Sequence, residues 1–199
     1  AETCRRLVRP HIEAAGWDAS RQHFYSEQVA FTDGRIITPG GKPIRLKKKI
    51  ADFLLRYTRD ITLGVVEAKS DSRPAGDGLQ QAKDYAEILG LKFAYATNGT
   101  EIIEYDYFSG LEREVDRVHT PQELWERYQT GQKLGPNAAS ALLLPYYNQP
   151  GREPRYYQKI AITRSVEAII AGRKRNLLTM ATGTGKTQTA FQICWKLWS

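Results

Sequence analysis

The chain has 199 residues, 41% of them hydrophobic and 26% charged, with 29 basic against 22 acidic side chains and a net charge of +7. That length and apolar content suffice for one domain and part of another, which argues against wholesale disorder. Two cysteines, Cys4 and Cys194, exclude a disulfide framework and zinc-ligand spacing and suit a reducing cytoplasm; no apolar run is long enough to span a membrane, and the basic excess favours a polyanionic partner.

Residues 2–15 read as a helix closed by Gly16, with Leu7, Val8, Ile12 and Ala15 at helical spacing and Pro10 either kinking it or marking its start. Glu2 and Glu13 on this helix are candidate extra metal ligands, although a solvated helix face is the ordinary role for such residues. His11 and His23 are isolated. Residues 21–31 contain a strand leading to an Asp33-Gly34 turn. Five basic residues then fall between Lys42 and Lys49 behind two glycines and a proline, the composition of a mobile loop. Running directly into the next strand, Lys47, Lys48 and Lys49 are placed to meet a phosphate backbone.

Ile50–Leu55 and Val65–Lys69 are short apolar runs rich in β-formers, separated by a polar turn that ends in Gly64. Side chains alternate along a strand, so Glu67 and Lys69 share one face, and pairing the two strands would bring Asp52 to them. Two carboxylates beside an ammonium suit Mg²⁺-assisted phosphodiester hydrolysis. Asp52 and Glu67 offer hard oxygen ligands, the cation lowers the pKa of a bound water, and Lys69 orients that water or balances charge on the phosphate. Acid-x-lysine arises about once by chance in a chain of this composition, and a surface ion pair would look the same. The apolar run Val65-Val66 immediately before Glu67 distinguishes this one, because charge within such a strand is costly unless it faces a cleft.

Beyond Lys69 comes a loop rich in Ser, Gly and Pro, then a helix over residues 79–89 closed by Gly90. Gln81 and Tyr85 lie one turn apart on its surface, where they either pack or hydrogen-bond a nucleic-acid backbone. Residues 92–97 and 101–108 form a hairpin around Asn98-Gly99. Thr120-Pro121-Gln122-Glu123 is a capping box with proline in the first turn, opening a helix that runs to about Gly131. A mixed sheet flanked by helices, an α/β (α+β) fold, therefore occupies residues 1–131. The prolines at 136, 145, 150 and 154 mark a linker over 132–154, within which 139–147 is apolar enough to pack.

The carboxy-terminal stretch opens with a helix through Ala171 capped by Gly172, followed by a buried strand over residues 176–180. Ala181-Thr182-Gly183-Thr184-Gly185-Lys186-Thr187 comes next, and a helix completes a phosphate cradle. Main-chain N–H groups hold phosphate oxygens, Lys186 reaches the β and γ phosphates and Thr187 binds Mg²⁺. Met180 stands where the general pattern has glycine. A single βα unit cannot cover both faces of a parallel sheet, so residues 155–199 should either be marginal alone or lean on the first domain.

Taken together, these residues resemble the amino-terminal part of the R subunit of type I restriction enzymes, the subunit that translocates and cuts DNA. Asp52, Glu67, Ala68 and Lys69 match its PD-(D/E)xK nuclease signature, with Ala51 in place of the usual proline. Gln81 and Tyr85 match its Gln-x-x-x-Tyr element. Residues 180–187 are similar to motif I of superfamily 2 helicases, and Gln158 resembles the upstream glutamine that reads adenine. The resemblance implies a restriction-endonuclease-like core followed by the start of a RecA-like helicase domain at 155–199. It further implies Mg²⁺ and ATP as cofactors, and double-stranded DNA together with modification and specificity subunits as partners in a bacterial or archaeal cytoplasm. Asp52 and Glu67 would be the metal ligands and Lys69 the water-positioning group, with Gln81 and Tyr85 supporting the substrate. The chain reads as a fragment, lacking the later acidic motif and arginine finger, so ATP hydrolysis is not expected of these residues alone. Two rivals remain: a motor whose first domain binds DNA without cutting, with Asp52, Glu67 and Lys69 forming only an ion pair, and a domain that only recruits partner subunits and shows no salt-sensitive DNA binding.

Overall fold

The computed structural model describes residues 4–18, 22–32, 36–37, 44–45, 48–147 and 153–198. Glu2, the Asp33-Gly34 turn, Lys42 and Lys47 lie outside these residues. A π-helical stretch at Cys4–Val8 leads into α1 (Arg9–Ala14), shorter than the single helix expected over 2–15, with Pro10 in the first α-turn, where its missing N–H costs nothing. Next come β1 (Phe24–Phe31), β2 (Ile36–Ile37), β3 (Ile44–Arg45), β4 (Lys49–Arg56) and β5 (Thr62–Ala68). β2 and β3 pair with each other in a separate antiparallel ladder, so the expected mobile loop contains paired backbone at Ile44–Arg45.

After α2 (Leu79–Leu89) the chain forms β6 (Phe93–Thr97), β7 (Ile102–Asp106) and β8 (Leu111–Glu114). The six-stranded sheet has the order β1-β4-β5-β6-β7-β8. Only β5 and β6 run parallel, because α2 carries the chain back across one face between them; every other neighbour is antiparallel. Gly90 ends α2 at φ +72°, and Gly99 takes φ +94° in the turn between β6 and β7, the left-handed backbone that glycine adopts without steric cost.

Two apolar layers sandwich the sheet. Phe53, Leu55, Val66, Phe93 and Tyr95 face α1, α3 (Pro121–Gln132) and α4 (Pro136–Leu143), while Ala51, Leu54, Val65 and Ala94 face Ala82 and Ala86 of α2. The Thr120 hydroxyl and the Glu123 carboxylate close the capping box that opens α3. On the α3 face, Glu104 of β7 is fully buried and receives hydrogen bonds from Tyr95, Arg113 and Arg127, with His119 at 3.2 Å. Burial alone would raise its pKa, but these donors hold the carboxyl well below the usual carboxylate range.

α5 (Tyr156–Ile170) leans on the larger core, burying Ile162 and Val166 in it, and α6 (Lys186–Trp198) packs beside α5. Gln192 on α6 bonds both the N–H and the carbonyl of Tyr147 at 2.9 Å, and the Lys196 ammonium donates to the carbonyls of Leu142 and Leu144. The apolar part of 132–154 is thus fastened by buried polar side chains of α6. Residues 176–180 do not form the buried strand expected of them: they carry no ladder, and Leu177 is 95% exposed. The reason is physical. A parallel strand needs neighbours to receive its N–H and C=O groups, and none of the described residues supplies one.

Candidate functional site

The β4–β5 register pairs Phe53 with Val66, which sets Asp52 opposite Glu67 at the end of the ladder. The Asp52 N–H donates to Glu67 Oε1 at 3.2 Å, and the Ala68 N–H donates to Asp52 Oδ2 at 2.9 Å, so each carboxylate is oriented by the other strand's main chain. Gln81, in the first turn of α2, completes the set. Its Oε1 accepts from Lys69 Nζ at 2.9 Å, while its Nε2 donates to Glu67 Oε2 at 2.7 Å and to the Tyr85 hydroxyl at 3.1 Å. A lysine can only donate and a carboxylate only accept, so this amide orientation is dictated by its neighbours. The structure therefore brings Asp52, Glu67, Lys69, Gln81 and Tyr85 into one cluster, with Gln81 linking the ammonium to the carboxylate.

Glu67 is buried, and that burial, reinforced by the Asp52 carboxylate, pushes its carboxyl up to about 8. Two adjacent carboxylates with one of them desolvated form a strained donor set, relieved either by a shared proton or by a hard divalent cation. The residues fit Mg²⁺ on that ground. Among the described residues no group of three or more His, Cys, Asp or Glu side chains could hold a metal, so remaining ligands would come from main chain, amides, water or substrate. Glu13 is engaged elsewhere, accepting from the Tyr25 hydroxyl at 2.7 Å and lying 3.5 Å from Arg9. His11 and His23 bond the main-chain carbonyls of Gly99 and Tyr57.

Lys49 stands at the edge of the cluster with Nζ 5.6 Å from the centre of the Tyr85 ring; Lys48 is exposed. Two residues at the site carry no motif. Gly78, just before α2, leaves room for Lys69: a Cβ there would stand 3.1 Å from Lys69 Cε. Gln28 of β1 donates from Nε2 to Asp52 Oδ1 at 2.9 Å. The available signal for Gln28 was the polar run Ser26-Glu27-Gln28, which interrupts the apolar alternation of β1.

The glycine loop lies at the start of α6. Gly183 and Gly185 take φ of +77° and +84°, and the Lys186 ammonium folds back onto the carbonyls of Met180 and Ala181 at 3.3 and 3.2 Å. Thr182 and Thr187 are exposed, and the Thr184 hydroxyl donates to the Ala181 carbonyl at 2.6 Å. Gln158 is buried, with both ends of its amide engaged by main chain: it accepts from the Arg155 N–H at 2.7 Å and donates to the Thr184 carbonyl at 2.9 Å. In this conformation Gln158 braces the loop rather than facing solvent.

Over 205 aligned residues covering the whole chain, the sequence is 38% identical to the type I restriction enzyme EcoAI endonuclease subunit of Escherichia coli. A fragment structure of a putative HsdR subunit of a type I restriction enzyme from Vibrio vulnificus YJ016 superposes with a TM-score of 0.86 at 52% identity over 98% of the chain. The chain is a homologue of the type I restriction endonuclease subunit. It spans 25% of the EcoAI subunit and 37% of the Vibrio chain. A 43-residue stretch, 22% of the chain and 4% of the relative, is 49% identical to the EcoKI endonuclease subunit of Escherichia coli strain K12. Residues 152–199, which include Gln158 and the glycine loop, match the family described as the res subunit of type III restriction enzymes. The mixed α/β architecture expected from the sequence is that of the HsdR fragment. No helix among the described residues is long and apolar enough to cross a membrane.

Proposed function

We propose that residues 1–131 are a PD-(D/E)xK endonuclease domain that hydrolyses DNA phosphodiester bonds with Mg²⁺, joined through residues 132–154 to the beginning of a RecA-like ATP-driven motor at 155–199. One observation carries this: Asp52 and Glu67 converge on adjacent strands, and a single amide from α2 ties Glu67 to Lys69. Asp52 and Glu67 would hold the cation, which when bound supplies Lewis-acid polarisation and offsets charge developing on the phosphate. Lys69, held by Gln81, positions the attacking water and stabilises the same charge. The free proton of the Tyr85 hydroxyl and the ammonium groups of Lys47, Lys48 and Lys49 would serve the DNA backbone.

At the second site the N–H groups of the loop containing Thr182, Gly183, Thr184 and Gly185 would cradle the phosphates of ATP. Lys186 would exchange its two carbonyl contacts for phosphate oxygens, and Thr187 would face the Mg²⁺ that accompanies them. Gln158, already fixed to Thr184, would set the loop against the adenine side. The working assembly is the full-length subunit with modification and specificity subunits on double-stranded DNA in a bacterial cytoplasm.

The test is plasmid cleavage by that assembly with ATP and Mg²⁺, comparing wild type with Asp52→Ala, Glu67→Ala and Lys69→Ala while ATPase activity is recorded. Loss of cleavage with ATPase retained is expected in all three. Undiminished cleavage would leave residues 1–131 as a binding module.

A further inference from the structure

β1 and β4 are in register on both sides of one position, with Glu27 opposite Phe53 and Val29 opposite Ala51, yet the intervening pair, Gln28 and Asp52, makes no ladder contact. At that point Gln28 has φ +49°, one of two described non-glycine residues with positive φ and the only one in a strand. Left-handed backbone is unfavourable for a residue with a Cβ, so the surrounding structure must impose it. The apolar alternation changes face there. Tyr25 and Phe53 belong to the α3-side core, whereas Phe31 and Ala51, an even number of residues away along the same strands, belong to the α2-side core. An unbroken strand would keep them on one side.

We infer that Gln28 is a positioning residue for the cation site: its left-handed backbone opens the β1–β4 ladder at Asp52, and its amide fixes the Asp52 carboxylate. This rests on the nuclease function proposed above. The released Asp52 N–H binds Glu67 Oε1 rather than completing a pair with β1. Gln28 Nε2 holds Asp52 Oδ1 at 2.9 Å while the Ala68 N–H holds Oδ2 at 2.9 Å, so donors from the strands on both sides of β4 fix one carboxylate. A ligand fixed in this way loses less rotational freedom when a cation binds. Partners that orient a metal ligand without touching the metal commonly set affinity by about 10- to 100-fold. The local distortion belongs to this position: on either side of it the register is regular.

The test uses the full-length subunit, with Mn²⁺ as the probe in calorimetric titrations without nucleotide, and Asp52→Ala to identify the heat belonging to this site. Gln28→Gly accepts φ +49° without penalty and removes the amide; Gln28→Asn also tolerates left-handed backbone, but its side chain is a methylene too short to reach Asp52. Both variants are expected to melt at or above the wild-type temperature and to bind Mn²⁺ about tenfold more weakly. In the assembled enzyme, the Mg²⁺ concentration for half-maximal cleavage should rise by the same factor, with ATPase unchanged. Wild-type Mn²⁺ affinity in folded Gln28→Gly or Gln28→Asn would overturn the inference while leaving the nuclease intact. Wild-type affinity in Asp52→Ala would instead remove the cation site itself. Adding Gln28→Gly to Asp52→Ala should cause no further loss, because Gln28 acts only through that carboxylate.

Discussion

Cation binding at Asp52 and Glu67 should expel a proton at neutral pH. The Glu67 carboxyl is pushed up to about 8, chiefly by burial and secondarily by Asp52, so without a cation about nine in ten copies hold the proton at pH 7. A divalent ion needs the ionised form. Removing the proton at pH 7 costs about 1.4 kcal/mol, which weakens apparent affinity roughly tenfold against its alkaline plateau. Apparent affinity should therefore rise by nearly a factor of ten per pH unit up to about 8 and then level off. The stability of the cation-free protein moves the other way. The folded state holds this proton more tightly than the unfolded chain, where the group titrates near 4.5, so the stability is fully present below that value and is lost as pH rises through about 8. The loss is at most on the order of 5 kcal/mol. Asp52→Asn removes the second cause but not burial, so Glu67 should remain raised, only less so. Calorimetric titration of Mg²⁺ or Mn²⁺ at pH 7 in two buffers of different ionisation enthalpy gives the proton count directly. About 0.9 protons released per ion is expected; binding with no proton release, and with affinity flat between about pH 6 and 8, would refute the reasoning.

Three further substitutions probe the frame around the two sites. Glu104→Gln leaves Arg113 and Arg127 facing a neutral amide in a buried network and should destabilise the protein by about 3–5 kcal/mol in denaturant melts, while Mn²⁺ affinity at the opposite face stays unchanged. Gly78→Ala sets a methyl 3.1 and 3.2 Å from the Lys69 stem and 3.3 Å from Ala96 Cβ; with the lysine displaced, cleavage should fall by more than about tenfold for a stability loss of about 1–2 kcal/mol. Gln158→Ala strands the Arg155 N–H and the Thr184 carbonyl and frees the loop, so a fluorescent ATP analogue should bind the full-length subunit about tenfold or more weakly, with Mn²⁺ affinity at Asp52 unaltered.

Much of this was legible because local rules and global fold agree. The threonine cap and glutamate of α3, the glycine that ends α2 and the Asn-Gly turn each satisfy backbone groups within a few residues, so their effect does not depend on what lies across the fold. The pairing of Asp52 with Glu67 followed from alternation and a short connection, which together allow few registers. Where the outcome hinges on distant partners, the sequence was silent or misleading. Residues 176–180 have the composition of a buried strand but no neighbouring strand among the described residues, and composition cannot supply a hydrogen-bonding partner. The burial of Gln192 and Lys196 was equally hidden, since both read as solvated positions until the main-chain carbonyls of residues 142–147 are laid over them.

Gln28 shows why the same limit falls on the site. A motif records the groups that perform chemistry, and their types are constrained by what oxygen or nitrogen can do. The residue that orients them is constrained only by reach and backbone angle, which many sequences can meet. β1 enters the sheet beside β4, on the side away from β5, and meets the site at Asp52, which Gln28 bonds, and at Tyr85, whose ring packs edge-on against Phe31. A residue in that position can bend the ladder without disturbing the β4–β5 pairing that sets the two carboxylates opposite each other. The distortion therefore sits in the one neighbouring strand that carries none of the motif residues, where shape can be adjusted at little cost to the register on which the chemistry depends.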